Sequence, residues 1–156
     1  MVTTSASEAT QAGISRPASE RPIVVGVDGS AGATAALRWA ASEARAHGRP
    51  LIVVHAWDTP AFYGYPLAPV PEMGDAVRAA GETCLDEALT EVFGDQRPTE
   101  VRRELVQGKA ARVLIDMAEN ASLLVVGARG HGSFTLGSVC DRCVHHASCP
   151  VLVVRD

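Results

Sequence analysis

Two short segments of this chain carry residue types and spacings suited to holding a charged small molecule. The first, Gly26-Val27-Asp28-Gly29-Ser30, places an acid and a hydroxyl after an apolar run and before an alanine-rich stretch. Such residues either cap a helix or meet a ligand, and the pattern alone leaves both readings open. The second reads Gly-Ala-Arg-Gly-His-Gly-Ser-Phe-Thr-Leu-Gly-Ser-Val from Gly127 to Val139. Its four glycines permit positive φ and close backbone approach, and N–H groups exposed before a helix favour an anion such as phosphate. An ordinary glycine-rich turn is the plainer reading of the same string.

A third cluster, Cys140-x-x-Cys143 followed by His145, His146 and Cys149, invites a zinc or redox reading. Cys140, Cys143, Val144 and Ala147 fall at helical spacing, however, where free cysteine behaves as a small hydrophobe. They are expected to be reduced, metal-free core residues, with the histidines decorating the negative end of a helix. Trp39 and Trp57 are likewise expected to pack rather than to stack on a ligand.

The elements that must position these segments follow from periodicity. Uncharged runs at Ile23–Val27, Leu51–Trp57, Leu123–Gly127 and Val151–Val154 suit parallel strands covered on both faces. Val101–Val106 is broken by Arg102, Arg103 and Glu104 and reads as an edge strand. Between the runs, Ala33–His47 is helix-favouring, with Ser30 as N-cap and Gly48 as terminator. Val77, Gly81, Cys84, Leu85, Ala88, Leu89 and Val92 recur at spacings of three and four, as do Ala110, Val113, Leu114, Met117 and Ala121. The stretch from Trp57 to Gly74 reads as a long Pro/Gly/aromatic loop. Strand and helix alternation of this kind folds into a doubly wound α/β parallel sheet, with ligands beyond the carboxyl ends of strands where the winding reverses.

Composition narrows the function classes. With 156 residues and 47% hydrophobic content, one domain with an ample core is expected over residues 21–156. Residues 1–20 lack apolar periodicity and read as a disordered tail. A net charge of -4 without a basic stripe argues against nucleic acid. No run approaches a membrane span and no signal peptide is legible, so a cytoplasmic protein is expected, with its four cysteines as thiols.

Val-Gly-Val-Asp-Gly-Ser at the end of the first strand, Val-Val-His-Ala in the second and Val-Val-Gly-Ala-Arg-Gly-His-Gly after the fourth together resemble the universal stress protein family. The closing His-His-Ala-Ser-Cys-Pro-Val-Leu-Val-Val is similar too. The resemblance spans about Arg21 to Arg155 and implies a five-stranded parallel sheet in the order 3-2-1-4-5, Rossmann-like and akin to adenine nucleotide alpha hydrolases. It also implies a homodimer through Val151–Val154 and an ATP site, with AMP or ADP as alternatives. Carried over position by position, that site comprises Gly26, Val27 and Asp28, then Ala56, then Gly127, Arg129 and Gly130, then Gly137, Ser138 and Val139. The ATP-binding pattern of the family sets nine residues between the last two glycines, whereas Gly130 and Gly137 here enclose six. The shortened loop leaves the choice of nucleotide open.

No nucleophile, base and orienting acid converge in the sequence, and neither a Gly-x-Ser-x-Gly elbow nor a Gly-Lys-Ser/Thr loop is present. The expectation is therefore a nucleotide-binding regulatory protein of the stress response, not an enzyme beyond at most slow ATP hydrolysis. The alternative is a dimeric interaction module of the same fold that needs no nucleotide.

Overall fold

A computed structural model describes residues 16–59, 71–129 and 136–156. Among these, five strands alternate with four helices: β1 (Ile23–Gly26), α1 (Ala31–His47), β2 (Leu51–Trp57), α2 (Pro71–Phe93), β3 (Val101–Gln107), α3 (Ala110–Ala118), β4 (Leu123–Gly127), α4 (Ser138–His146) and β5 (Val151–Val154). All neighbouring strands are parallel, in the order β3-β2-β1-β4-β5. The winding direction therefore reverses between β1 and β4.

Alternation along β1 divides the core into two layers. Ile23 and Val25 face α1 and α2, meeting Ala36, Leu37 and Ala40 from the first helix and Leu85 and Leu89 from the second. Val24 faces the other way, among Val113 and Leu114 of α3 and Cys140 and Cys143 of α4. Double coverage is what makes uncharged strands affordable. Leu37, with no exposed surface, illustrates the scale: its truncation to Ala would cost about 2–5 kcal/mol.

The two edges differ. Arg102 and Glu104 stand exposed on β3, while Arg103 turns to Glu82 and to Asp86 (3.1 Å) on α2. Val151, Leu152 and Val153 on β5 are partly buried and uncharged.

Several expectations shift on contact with the structure. Residues Pro71 to Gly74 belong to α2 and not to the preceding loop, since proline at a first helical position gives up only an N–H that has no partner there. Positions 60–70 of that expected loop, and 1–15 of the expected tail, lie outside the described residues. Ala18–Glu20 form a single 3-10 turn. Trp39 is not a core residue but 52% exposed on α1, because the sheet-facing side of that helix is filled by Ala33, Ala36, Leu37 and Ala40. Val144 is likewise 46% exposed, and Val139 packs beside Cys140 and Cys143 in the stripe expected of Val144.

Candidate functional site

At the carboxyl end of β1 the chain turns through Val27, Asp28 and Gly29 into α1. Asp28 Oδ1 accepts hydrogen bonds from the Ser30 N–H (2.9 Å) and from the Ser30 hydroxyl (2.5 Å). Ser30 Oγ in turn accepts from the Ala33 N–H at 3.2 Å, which caps the helix. The turn thus closes on itself, while the Asp28 side chain stays on the exposed surface. Gly29 adopts φ 82°, which side-chain-bearing L residues rarely take.

Across the winding reversal, β4 ends at Gly127. A Cβ there would lie 2.8 Å from the Gly32 carbonyl carbon, so the missing side chain is what lets the first turn of α1 sit on β4. The Gly137 N–H donates to the Ala128 carbonyl at 2.9 Å, folding the start of α4 back beside the end of β4. Gly137 has φ −62° and ψ 153°, ordinary extended backbone. The expectation of positive φ therefore fails at Gly127 and Gly137, and among the described glycines of this site it is Gly29 that has positive φ. Gly130 and Gly132 lie outside the described residues.

These segments enclose one cavity of about 480 Å³, within the range of small-molecule sites. Nine of the ten expected positions line it: Gly26, Val27, Asp28, Ala56, Gly127, Arg129, Gly137, Ser138 and Val139. The tenth, Gly130, lies outside the described residues. One end of the cavity is apolar, formed by Val54, Ala56, Ala110 and Leu114. The other combines Gly127 and Gly137 with Ser138 and Arg129, and Arg129 Nη2 is 3.9 Å from Asp156 Oδ1. The N-cap residue Gly137 offers α4 no side-chain cap, and the partial positive charge of that helix N-terminus lies at the Gly137–Ser138 lining of the cavity. Such a cavity suits a flat apolar group at one end and an anion at the other.

Ala33, Leu114, Leu136 and Cys140 also line the cavity. Sequence reading missed them as site residues because helical periodicity marks a residue as inward-facing without saying whether core or cavity lies there. Cys140 and Cys143 are buried, and the four cysteines are free thiols. Burial raises the pKa of all four, that of Cys143 to about 11, with Cys140 and Cys149 adding to the effect there. Cys140 sits in the first turn of α4, where a helix N-terminus favours thiolate, yet desolvation wins. Among the described residues no group of three His, Cys, Asp or Glu side chains is placed to hold a metal ion, and no helix is long and apolar enough to cross a membrane.

The model of the universal stress protein family matches residues 20–155. The chain belongs to the universal stress protein family. A universal stress protein of Mycolicibacterium smegmatis is 39% identical over 150 residues, covering 88% of this chain and 49% of the relative. This chain thus spans about half the length of the curated relatives it matches first. Among solved structures, a universal stress protein from Lactobacillus plantarum superposes with a TM-score of 0.73 at 30% identity, covering 86% of this chain and 97% of the other. One from Archaeoglobus fulgidus in complex with dAMP gives 0.61 at 28% identity, with 86% and 97% covered. A universal stress protein in complex with cAMP gives 0.63 at 25% identity, with 87% and 97% covered.

Proposed function

We propose that this universal stress protein binds an adenine nucleotide, ATP foremost with ADP and AMP as alternatives, and acts as a dimeric regulator of the stress response through occupancy and not turnover. The observation that carries this reading is the cavity that joins an apolar end to a donor-rich end beside the winding reversal. Adenine fits between Ala56, Ala110 and Leu114. Ribose hydroxyls donate to the Asp28 carboxylate, and phosphate oxygens accept from the N–H groups opening α4 and from Arg129. The structural neighbours solved with dAMP and cAMP support an adenine ligand.

Titration calorimetry with adenosine, AMP, ADP and ATP tests this reading. The expected result is saturable binding, with at least one nucleotide about tenfold tighter than adenosine because only the nucleotide reaches α4. No heat with any of them up to about 1 mM overturns it. The interaction module independent of nucleotide, favoured by the shortened interval between Gly130 and Gly137, would then replace it.

The dimer rests on the outer edge of β5. An uncharged edge next to a protected opposite edge favours antiparallel pairing with a second copy about a two-fold axis, which closes both edges together. Sedimentation equilibrium at micromolar concentration should give twice the chain mass, and Leu152→Lys should shift it toward one. One chain mass for the unaltered protein rules the dimer out.

A further inference from the structure

Behind the cavity, on the layer occupied by α1 and α2, one side chain reaches across from β2 to the β1 turn. His55 Nδ1 lies 2.8 Å from the Val27 carbonyl oxygen. A carbonyl can only accept, so Nδ1 carries the proton and Nε2 is the other ring nitrogen. The Val27 N–H already donates to the Val54 carbonyl at 2.9 Å. Both polar groups of Val27 are therefore tied to β2, and the peptide that leads into Asp28 has a fixed orientation.

The ring is held in turn. Gly81 is buried on α2, and a Cβ there would come within 3.0 Å of His55 Cδ2 and 2.9 Å of Leu105 Cδ1. The helix can cross His55 this closely only because that position has no side chain. One turn further on, Cys84 Sγ lies 3.5 Å from where a Cβ on Gly29 would stand, so α2 supports the same turn at a second point. His55 does not line the cavity, whereas its chain neighbour Ala56 does, as alternation along a strand requires.

We infer that His55 is a positioning residue for the nucleotide site: its Nδ1–H, clamped by α2 at Gly81, holds the Val27 carbonyl and so sets where the Asp28 carboxylate meets the ligand. The link to ligand affinity rests on the nucleotide reading above, but the link to the turn does not. An ordinary half-buried histidine would stabilise the fold without directing Asp28, and the variants below separate the two roles.

In His55→Asn the side-chain amide nitrogen takes the place of Nδ1 and keeps the donor, whereas His55→Leu keeps bulk and loses it. His55→Gln carries its nitrogen further out. In the free protein, the backbone amide resonances of Asp28, Gly29 and Ser30 should move in His55→Leu and His55→Gln and return near their original positions in His55→Asn. If they stay put in His55→Leu, the inference is overturned, whatever binds in the cavity. With AMP as probe, affinity should fall about tenfold in His55→Leu and recover in His55→Asn. On an Asp28→Ala background, His55→Leu should cost little more, because the two act through one contact. Additive losses would contradict the mechanism. Should the unaltered protein fail to bind AMP or ATP while the resonances behave as expected, the nucleotide reading falls and the clamp stands.

Discussion

The starts of α1 and α4 both open onto the cavity, yet they are finished in opposite ways. Ser30 caps α1 with its own hydroxyl, which takes the Ala33 N–H, and the Asp28 carboxylate buttresses the cap, so an acceptor of the chain itself already stands before that helix. α4 follows the N-cap Gly137, which has no side chain to offer, and among the described residues no side chain caps its first turn. A protein seeking only stability would place Ser, Thr or Asp there, a gain of about a few tenths of a kcal/mol over Gly. The contrast teaches which end of the cavity suits an anion: before α1 the Asp28 carboxylate already stands and Ser30 takes one donor, whereas before α4 Gly137 puts no side-chain acceptor in the way.

The largest effect is expected where the open start is filled. Ser138→Asp places a carboxylate at the first residue of α4, which should stabilise the helix by about 0.3–1 kcal/mol while weakening ATP binding by about a hundredfold through repulsion of its phosphates. Adenosine binding should hardly change. Calorimetry and thermal unfolding together read these opposite signs, and parallel losses for adenosine and ATP would break the assignment of the anion end.

Next in size is the thiol chemistry of α4. Because burial raises the Cys143 pKa to about 11, little thiolate exists at neutral pH. The ultraviolet thiolate absorbance that disappears in Cys143→Ser should therefore be small at about pH 9 and half-developed only near pH 11. Full development of that absorbance by about pH 9 would show the thiol to be less buried than its surroundings imply. The smallest effect belongs to the closed helix start: Ser30→Ala should cost about 1 kcal/mol of stability in denaturant unfolding. Its effect on AMP affinity should be only a few-fold, since the Ser30 N–H can still hold Asp28.

Much of this arrangement was legible beforehand, for local reasons. Strands covered on both faces must be uncharged, so β2, β4 and β5 stood out with their observed bounds. Ser30 and Gly48 cap α1 as their side chains, or lack of one, dictate. The strand order came from the resemblance alone, because periodicity does not say which strands are neighbours. What stayed hidden depends on contacts between distant parts of the chain. Gly127 looked like a loop glycine, but its bareness serves Gly32 on α1. His55 looked like part of a strand, and its partner Val27 is 28 residues away. Trp39 shows the same limit from the other side, since an aromatic on a helix reads as core until the small residues that fill the interface are known.

The most direct test of the cavity's role is to titrate the isotopically labelled protein with AMP and follow its backbone amides. Saturable shifts should cluster at Val27, Asp28, Ala56, Gly127, Ser138 and Val139, leaving Arg102–Glu104 on the far edge of β3 unmoved. Shifts confined to the acidic face of α2, at Asp86, Glu87 and Glu91, or no saturable shift up to about 1 mM, would contradict a nucleotide site at the junction of β1 and β4.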